Sequence, residues 1–339
     1  MGSVKDLKII EEAKEKPGIA EFVFSDRYSV FDWGEMPDLI ENKGKALCMI
    51  GAYFFEKMNK KGIKNHYVGI VENNEIKNIN EIKKPVNRMR IKFLRVLEPS
   101  IVNGKYDYSI YSKEKSNFLI PVEVIYRNFI TTNSSFLKRL KEGKIKMEEY
   151  GIKKIEENQK LDEPIYEFST KLEEIDRYIS KEEVKRIANI SNEEIDEIIE
   201  ISEKINKIIS KEAEKIGAIN EDGKIEFGFD EERNLIVVDV VGTPDECRFT
   251  INGIPASKEI ARIYYRKTEW YKGVEEAKKI DAIKWRQMVR PPPSMPVKLK
   301  ECISSIYQSF CNEIIGKRFF EAKSLRETID ELKEFLNEG

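Results

Sequence analysis

One stretch restricts this chain more than any other. Residues 222–248 read DGKIEFGFDEERNLIVVDVVGTPDECR. From Lys224 to Phe229, apolar Ile225, Phe227 and Phe229 alternate with Lys224, Glu226 and Gly228, the period-2 pattern of a strand with one buried face. Asp230–Asn234 is a polar turn, and Leu235–Val241 is a second strand, apolar except for Asp239. So short a turn predicts an antiparallel hairpin. Glu226 lies four residues before the turn and Asp239 five after it. A direct register then sets them nearly opposite, with Cβ atoms roughly 5 Å apart.

Carboxylates this close repel each other, and burying them unpaired is costly. A hard divalent cation relieves both problems, and Mg2+ is typically held by one or two carboxylates together with substrate phosphates. Lys224, on the face of Glu226, is placed to pair with it or with a phosphate. Taken alone, the pair also fits an edge hairpin with both acids in water.

Composition narrows the chemistry. The chain has 339 residues with 59 basic and 61 acidic side chains, so no bulk charge draws it to nucleic acid or to an anionic membrane. It lacks a run of 18 apolar residues, and MGSVKDLKII has no apolar signal core, which points to a cytoplasmic protein. Cys48, Cys247, Cys302 and Cys311 form no CxxC pair. The single histidine, His66, excludes multi-histidine metal sites, makes a Ser-His-Asp triad improbable, and reads as structural. Catalysis here would run on carboxylates, lysines, arginines, hydroxyls and a metal.

The fold class expected is α+β. Residues 1–120 read as an antiparallel β domain with one helix. A hairpin runs over 4–10 and 19–24, a helix over 43–61, and strands over 65–71, 88–97 and 106–112, with a further strand starting at 119. Residues 121–285 form a larger α/β domain around the central hairpin. Its first strand ends in Arg127 and is followed by Thr131, Thr132, Asn133, Ser134 and Ser135, either a phosphate cradle or a capped helix start. Ser180…Glu183 and Ser191…Glu194 are capping boxes, the second opening an isoleucine-striped helix that ends at Gly217. Ser257 would cap another helix, on which Lys258 and Arg262 share a face that suits an anion or plain solvent. Residues 286–339 pair a stiff proline-rich linker, Arg290–Pro296, with a helical extension. Its stripe of Ile303, Ile306, Phe310, Ile314 and Ile315 must dock on the body or on a second subunit, which favours a homodimer.

Seven segments in order, SDRYSVFD (25–32), ENKGKAL (41–47), IPVEVIYRN (120–128), PIYEFSTKLEEIDRYIS (164–180), DGKIEFG (222–228), VDVVGTPDECR (238–248) and SKEIAR (257–262), together resemble the SAICAR synthetase family. The resemblance implies an ATP- and Mg2+-dependent ligase of purine biosynthesis. Such an enzyme joins L-aspartate to carboxyaminoimidazole ribonucleotide through an acyl phosphate. It implies a kinase-like N-terminal nucleotide-binding domain, with ATP in the cleft beside the larger domain. It implies small-molecule substrates rather than nucleic acid.

Carried onto this chain, Glu226 and Asp239 hold the metal, and Lys224, Glu123 and Asp239 serve ATP. Arg127, Ser134 or Ser135, and Arg248 bind the ribonucleotide. Asp245 orients the reacting groups, with Lys258 and Arg248 beside it as catalytic candidates. Lys258 and Arg262 complete the anion pocket. Lys171 and Asp176 line the substrate cleft, and Asp26 and Lys43 lie near the phosphates. The chain departs from the pattern at its start, where the usual Gly-Lys loop is missing and Lys5 or Lys8 would substitute, and at Val240, where many members have a second acid. The loop after Arg127 is longer than in many bacterial forms, and the tail beyond 285 is additional. A related ligase or phosphotransferase for another substrate, or a nucleotide-binding paralogue without turnover, are the competing readings.

Overall fold

The computed structural model describes residues 4–132, 134–156 and 158–338, so Asn133 of the expected cradle lies outside it. Five strands make the first sheet: β1 (Lys5–Glu11), β2 (Gly18–Phe24), β3 (Tyr67–Glu72), β4 (Glu75–Lys77) and β5 (Arg88–Phe93), ordered β1-β2-β5-β3-β4. A small hairpin follows, β6 (Ser100–Val102) and β7 (Lys105–Asp107). The second sheet contains β8 (Phe118–Ile130), β9 (Gln159–Thr170), β10 (Tyr178–Ile179), β11 (Ile219–Phe229), β12 (Leu235–Val238), β13 (Cys247–Ile251) and β14 (Ile254–Pro255). Its order is β10-β9-β8-β11-β13-β14, with β12 also on β11. The ladders between these strands are antiparallel, which meets the α+β expectation.

Helix α1 (Lys43–Asn59) is buried on nearly every side, because Ala46, Cys48, Met49, Ala52 and Phe55 add to the predicted stripe of Leu47, Ile50, Phe54 and Met58. A helix apolar all round belongs inside, and α1 packs against both the first sheet and the tail. The other helices are α2 (Ser135–Lys141), α3 (Lys181–Ala188), α4 (Asn192–Lys215), α5 (Glu259–Arg266), α6 (Glu269–Ile280), α7 (Val297–Ile315) and α8 (Leu325–Glu338). Ser180 and Ser191 cap α3 and α4 through Glu183 N and Glu194 N. Among the described residues no helix is long and apolar enough to cross a membrane.

Three expectations need correction. The strand expected over 106–112 is only β7, followed by a 3-10 turn at Ser109–Lys113 in which buried Tyr111 donates to Leu97 O at 2.8 Å. The proline-rich stretch is no free linker: Met295 is buried, its N–H donates to Asp38 Oδ2 at 2.8 Å, and Pro293 O accepts from Tyr265 OH at 2.8 Å. The apolar face of the tail is covered within the chain. Ile303, Ile306, Phe310 and Ile314 of α7 are buried, with α1 and α8 as its main neighbours. That face therefore gives no argument for a second subunit, and one main core runs through all three predicted stretches.

The two sheets meet at residues 64–66, where His66 N donates to Val237 O and Val237 N to Lys64 O, both at 3.0 Å. The His66 side chain is buried between the rings of Phe22 and Phe55. Its Nε2 lies 2.9 Å from the Asp239 carbonyl, which can only accept, so Nε2 carries the proton. Burial outweighs that hydrogen bond and lowers the imidazole pKa to about 4. In the unfolded chain His66 takes up a proton near the ordinary value of about 6.5; in the folded chain it refuses one until about 4. Stability is thus fully present above about pH 6.5 and declines as pH falls toward 4, by about 3 kcal/mol from this group at about 1.4 kcal/mol per unit. Urea titrations of wild type and His66→Gln between those pH values should show a shallower slope in the variant.

Candidate active site

The central hairpin forms, but one residue out of the expected register. Glu226 faces Val238 on β12 and, on its other side, Glu123 of β8. A continued ladder would send Asp239 to the opposite face. Instead the chain leaves β12 there with Asp239 at φ 60°, a left-handed conformation that Asp tolerates. The turn beyond needs Gly242, at φ 72°, where any Cβ would press into the Phe54 ring.

Both acids are enclosed, and each is met by an ammonium. Lys5 Nζ of β1 reaches across from the first sheet to Asp239 Oδ1 at 2.6 Å, and Lys171 Nζ lies 2.5 Å from Glu226 Oε1. Lys224 Nζ stands 3.5 Å from Glu226, 3.3 Å from Glu123 and 3.4 Å from Glu246. Burial pulls against ionisation at Asp239, yet Lys5, Lys171 and Lys224 hold its carboxyl well below the usual range. Burial with the Asp239 charge pushes Glu226 up despite Lys171 and Lys224. Lys224 is half-buried, and although its desolvation works the other way, the carboxylates of Glu246, Glu226 and Glu123 raise its pKa well above the ordinary value. On β12, Ile236 and Val238 join Leu94 and Leu119 in a separate small apolar cluster beside the acids. No three His, Cys, Asp or Glu side chains converge as a metal-holding group among the described residues.

A cleft of about 210 Å³ opens from Lys224 and Glu123 toward α5, with Arg127, Ser135, Tyr178, Asp222, Asp245, Glu246, Arg248, Lys258 and Arg262 on its walls. Arg127 is almost wholly buried. Its Nε donates to Glu167 at 2.9 Å, Nη2 to Ser135 Oγ at 3.0 Å and to Tyr178 OH at 2.9 Å, and Nη1 lies 3.5 Å from Asp222. Arg248 Nη1 donates to Asp222 at 3.0 Å and to Thr131 Oγ1 at 2.7 Å. Lys258 sits at the N-cap of α5, and burial, more than the nearby Arg262, lowers its pKa against the pull of Glu246 and Asp245.

Asp245 is held from two directions. Buried Lys43 donates to Oδ2 at 2.7 Å, and Tyr307 OH of α7 donates to Oδ1 at 2.5 Å. Burial works against its charge, but Lys43, Lys258 and these bonds hold its carboxyl below the usual range. The tail thus takes part in building the cleft.

The candidates therefore separate. Glu226, Asp239, Lys5, Lys171, Lys224 and Glu123 form one cluster; Arg127, Ser135, Arg248, Asp245, Lys258 and Arg262 line the adjoining cleft. Ser134 is a helix cap, accepting from Leu137 N at 3.3 Å. Asp26 is spent at the start of α1, accepting from Asn42 N at 3.1 Å and Gly44 N at 2.9 Å, which replaces a side-chain cap from Asn42. Lys43 acts on Asp245 rather than in the cleft wall. Lys8 is exposed on β1 and makes none of these contacts. Asp176 is exposed near the cluster, and desolvation with the charge of Glu123 pushes its carboxyl up to about 6. Sequence reasoning missed Asp222, Glu246, Tyr178 and Tyr307. The first three lie inside the segments that carry the resemblance; Tyr307 gave no signal at all, being one aromatic in an apolar helix.

Comparison with known proteins shows the family and the fold. The profile of the SAICAR synthetase family matches residues 2–277. A protein of Archaeoglobus fulgidus provisionally named phosphoribosylaminoimidazole-succinocarboxamide synthase is 51% identical over 99% of this chain and 100% of its own. Among solved structures, the SAICAR synthase of Saccharomyces cerevisiae, complexed with SAICAR, superposes with a TM-score of 0.63 at 22% identity, covering 94% of both chains. A SAICAR synthetase in complex with ADP gives 0.57 at 23% identity, covering 87% of this chain and 99% of that one. The chain, by its sequence match and by the fold just described, belongs to the SAICAR synthetase family.

Proposed function

We propose that the cleft is the active site of an ATP- and Mg2+-dependent ligase that joins L-aspartate to carboxyaminoimidazole ribonucleotide, giving the succinocarboxamide, ADP and phosphate. The observation that carries this is an acid pair, buried Glu226 and partly exposed Asp239, each met by a lysine and set beside a cleft walled by Lys224, Arg248, Lys258 and Arg262.

The donor set suits Mg2+: two carboxylates whose oxygens already draw the ammonium groups of Lys5 and Lys171. Phosphate oxygens and water would complete the set around such an ion. Bound there, the ion would neutralise phosphate charge, as phosphoryl transfer requires. Leu94, Leu119, Ile236 and Val238 offer an apolar wall for the base of the nucleotide, next to Asp239 in the chain. Lys5 and Lys171, freed from the acids, would turn to the phosphates. The missing Gly-Lys loop is thus answered by Lys5 alone.

Arg248, Ser135 and Arg127 would hold the phosphate of the ribonucleotide, a charge-assisted grip. Arg127 also fixes Ser135 and Tyr178. Lys258 and Arg262 add positive charge where carboxylates of the substrates would lie. An imidazole carboxylate held next to the nucleotide phosphates would accept the terminal phosphoryl group, and the acyl phosphate so formed would be attacked by the aspartate amine, expelling phosphate. Asp245, kept ionised by Lys43 and Tyr307, would orient these reactants.

Purified protein should release ADP and phosphate only when ATP, Mg2+, the carboxylated ribonucleotide and aspartate are all present, with the succinocarboxamide as product. Multiple-turnover ADP release at an undiminished rate without aspartate would overturn the reading.

A further inference from the structure

Glu246 is the carboxylate in the cleft that nothing so far uses. Its side chain is only 10% exposed, and its Oε2 accepts no hydrogen bond among the described residues. Among the described residues its one ion-pair contact is Lys224 Nζ, 3.4 Å from that same Oε2, an amine already shared with Glu123 and Glu226. The backbone aims it deliberately: Glu246 N donates to Thr243 O at 3.0 Å, closing the turn that also presents Asp245. A buried carboxylate oxygen without a donor is costly. A fold keeps such a group where a ligand completes it.

The same cleft holds the opposite deficiency. Lys258 lines it with no hydrogen-bonding acceptor among the described side chains, and the charge of Glu246 is the strongest influence holding Lys258 protonated against burial. The empty cleft therefore offers one unsatisfied acceptor near one unsatisfied cation. A ligand that carries an ammonium and a carboxylate a few bonds apart satisfies both, and an α-amino acid has that pattern. A phosphorylated sugar supplies anions for Lys258 but brings no cation to Glu246. Asp222, the neighbouring acid on the wall, is by contrast already paired with Arg127 and Arg248.

We infer that Glu246 receives the ammonium group of the amino-acid co-substrate and so distinguishes it from a plain dicarboxylate. This rests on the proposed ligase reading. The carboxylate pairs with a positive group that must stay close while the adjoining lysines, Lys224 and Lys258, discourage any extra charge.

The test is steady-state kinetics of the full chain with Glu246→Gln, varying aspartate at saturating ATP, Mg2+ and ribonucleotide. The KM for aspartate should rise by about tenfold or more, as for loss of a charge-assisted hydrogen bond. The KM values for ATP and the ribonucleotide should stay within about twofold, since uniform binding of those substrates is untouched. Succinate, which is aspartate without its ammonium, should inhibit wild type and variant equally. Thermal melting should show the variant at least as stable as wild type, because a buried charge lacking a donor has been removed. An unchanged KM for aspartate, a KM increase confined to the ribonucleotide (which would make its hydroxyls the donor), or a parallel loss of succinate inhibition would each overturn the inference. A wild type that makes product with aspartate while the variant behaves identically refutes only Glu246; a wild type that makes none refutes the ligase reading and removes this inference with it.

Discussion

Glu226→Gln and Asp239→Asn should each lower turnover by about a thousandfold at saturating ATP, while the chain stays folded. On the proposed function, either change would take one of two anionic ligands from a cation whose charge neutralisation contributes several kcal/mol to the transition state, and about 4 kcal/mol is a factor of about a thousand. Glutamine and asparagine keep the shape and one oxygen, so packing around Ile225, Phe227 and Val237 is preserved. The Mg2+ concentration needed for half-maximal rate should rise along with the loss, a response that mere damage to the fold does not produce. Circular dichroism and a melting curve supply the control. Both variants turning over at the wild-type rate would rule out these acids as the metal site.

Arg127→Met should produce the largest loss of stability, about 3–5 kcal/mol, as for breaking a buried ion pair by removal of one partner. The guanidinium is the hub of a network: it pairs with Glu167 and Asp222, and it donates to Ser135 and Tyr178. Methionine fills much of the volume but leaves two enclosed carboxylates short of a donor. Arg139 and Arg248 each retain one of them, which keeps the loss finite. Denaturant unfolding of the two proteins measures the difference, and a loss under about 1 kcal/mol would show that the network is solvated rather than buried. Because Ser135 and Tyr178 are held by the same group, the variant should also lose affinity for the phosphorylated substrate.

How much of this was legible in the sequence depended on whether the signal was local. The alternation through Ile225, Phe227 and Phe229 gave the strand, and the capping boxes at Ser180 and Ser191 gave two helix starts, because each is written within a few residues. The pairing of Glu226 with Asp239 was expected from a direct register that the chain does not adopt. A left-handed residue at Asp239 does the work instead, and a single backbone dihedral leaves no periodic trace. Asp26, Lys43 and Ser134 were placed in the site because they lie in or beside the segments that carry the family resemblance. Their side chains prove to serve the scaffold around it, capping α1, holding Asp245 and capping α2. Lys5 and Lys8 were indistinguishable in a charged strand, and only the approach of β1 to the end of β12 separates them. Tyr307 was beyond reach, since nothing in an apolar helical stripe marks which aromatic will turn its hydroxyl toward an acid 62 residues away in the chain.

The central claim is that one divalent cation joins Glu226 and Asp239 to the phosphates of a nucleotide. Anomalous diffraction from crystals grown with Mn2+ and ADP tests it most directly. The account predicts a manganese peak within coordination distance of both carboxylates and of a phosphate oxygen, with Lys5 and Lys171 released from the acids. A peak bound to the nucleotide alone, with Lys5 still on Asp239 and Lys171 still on Glu226, would contradict it.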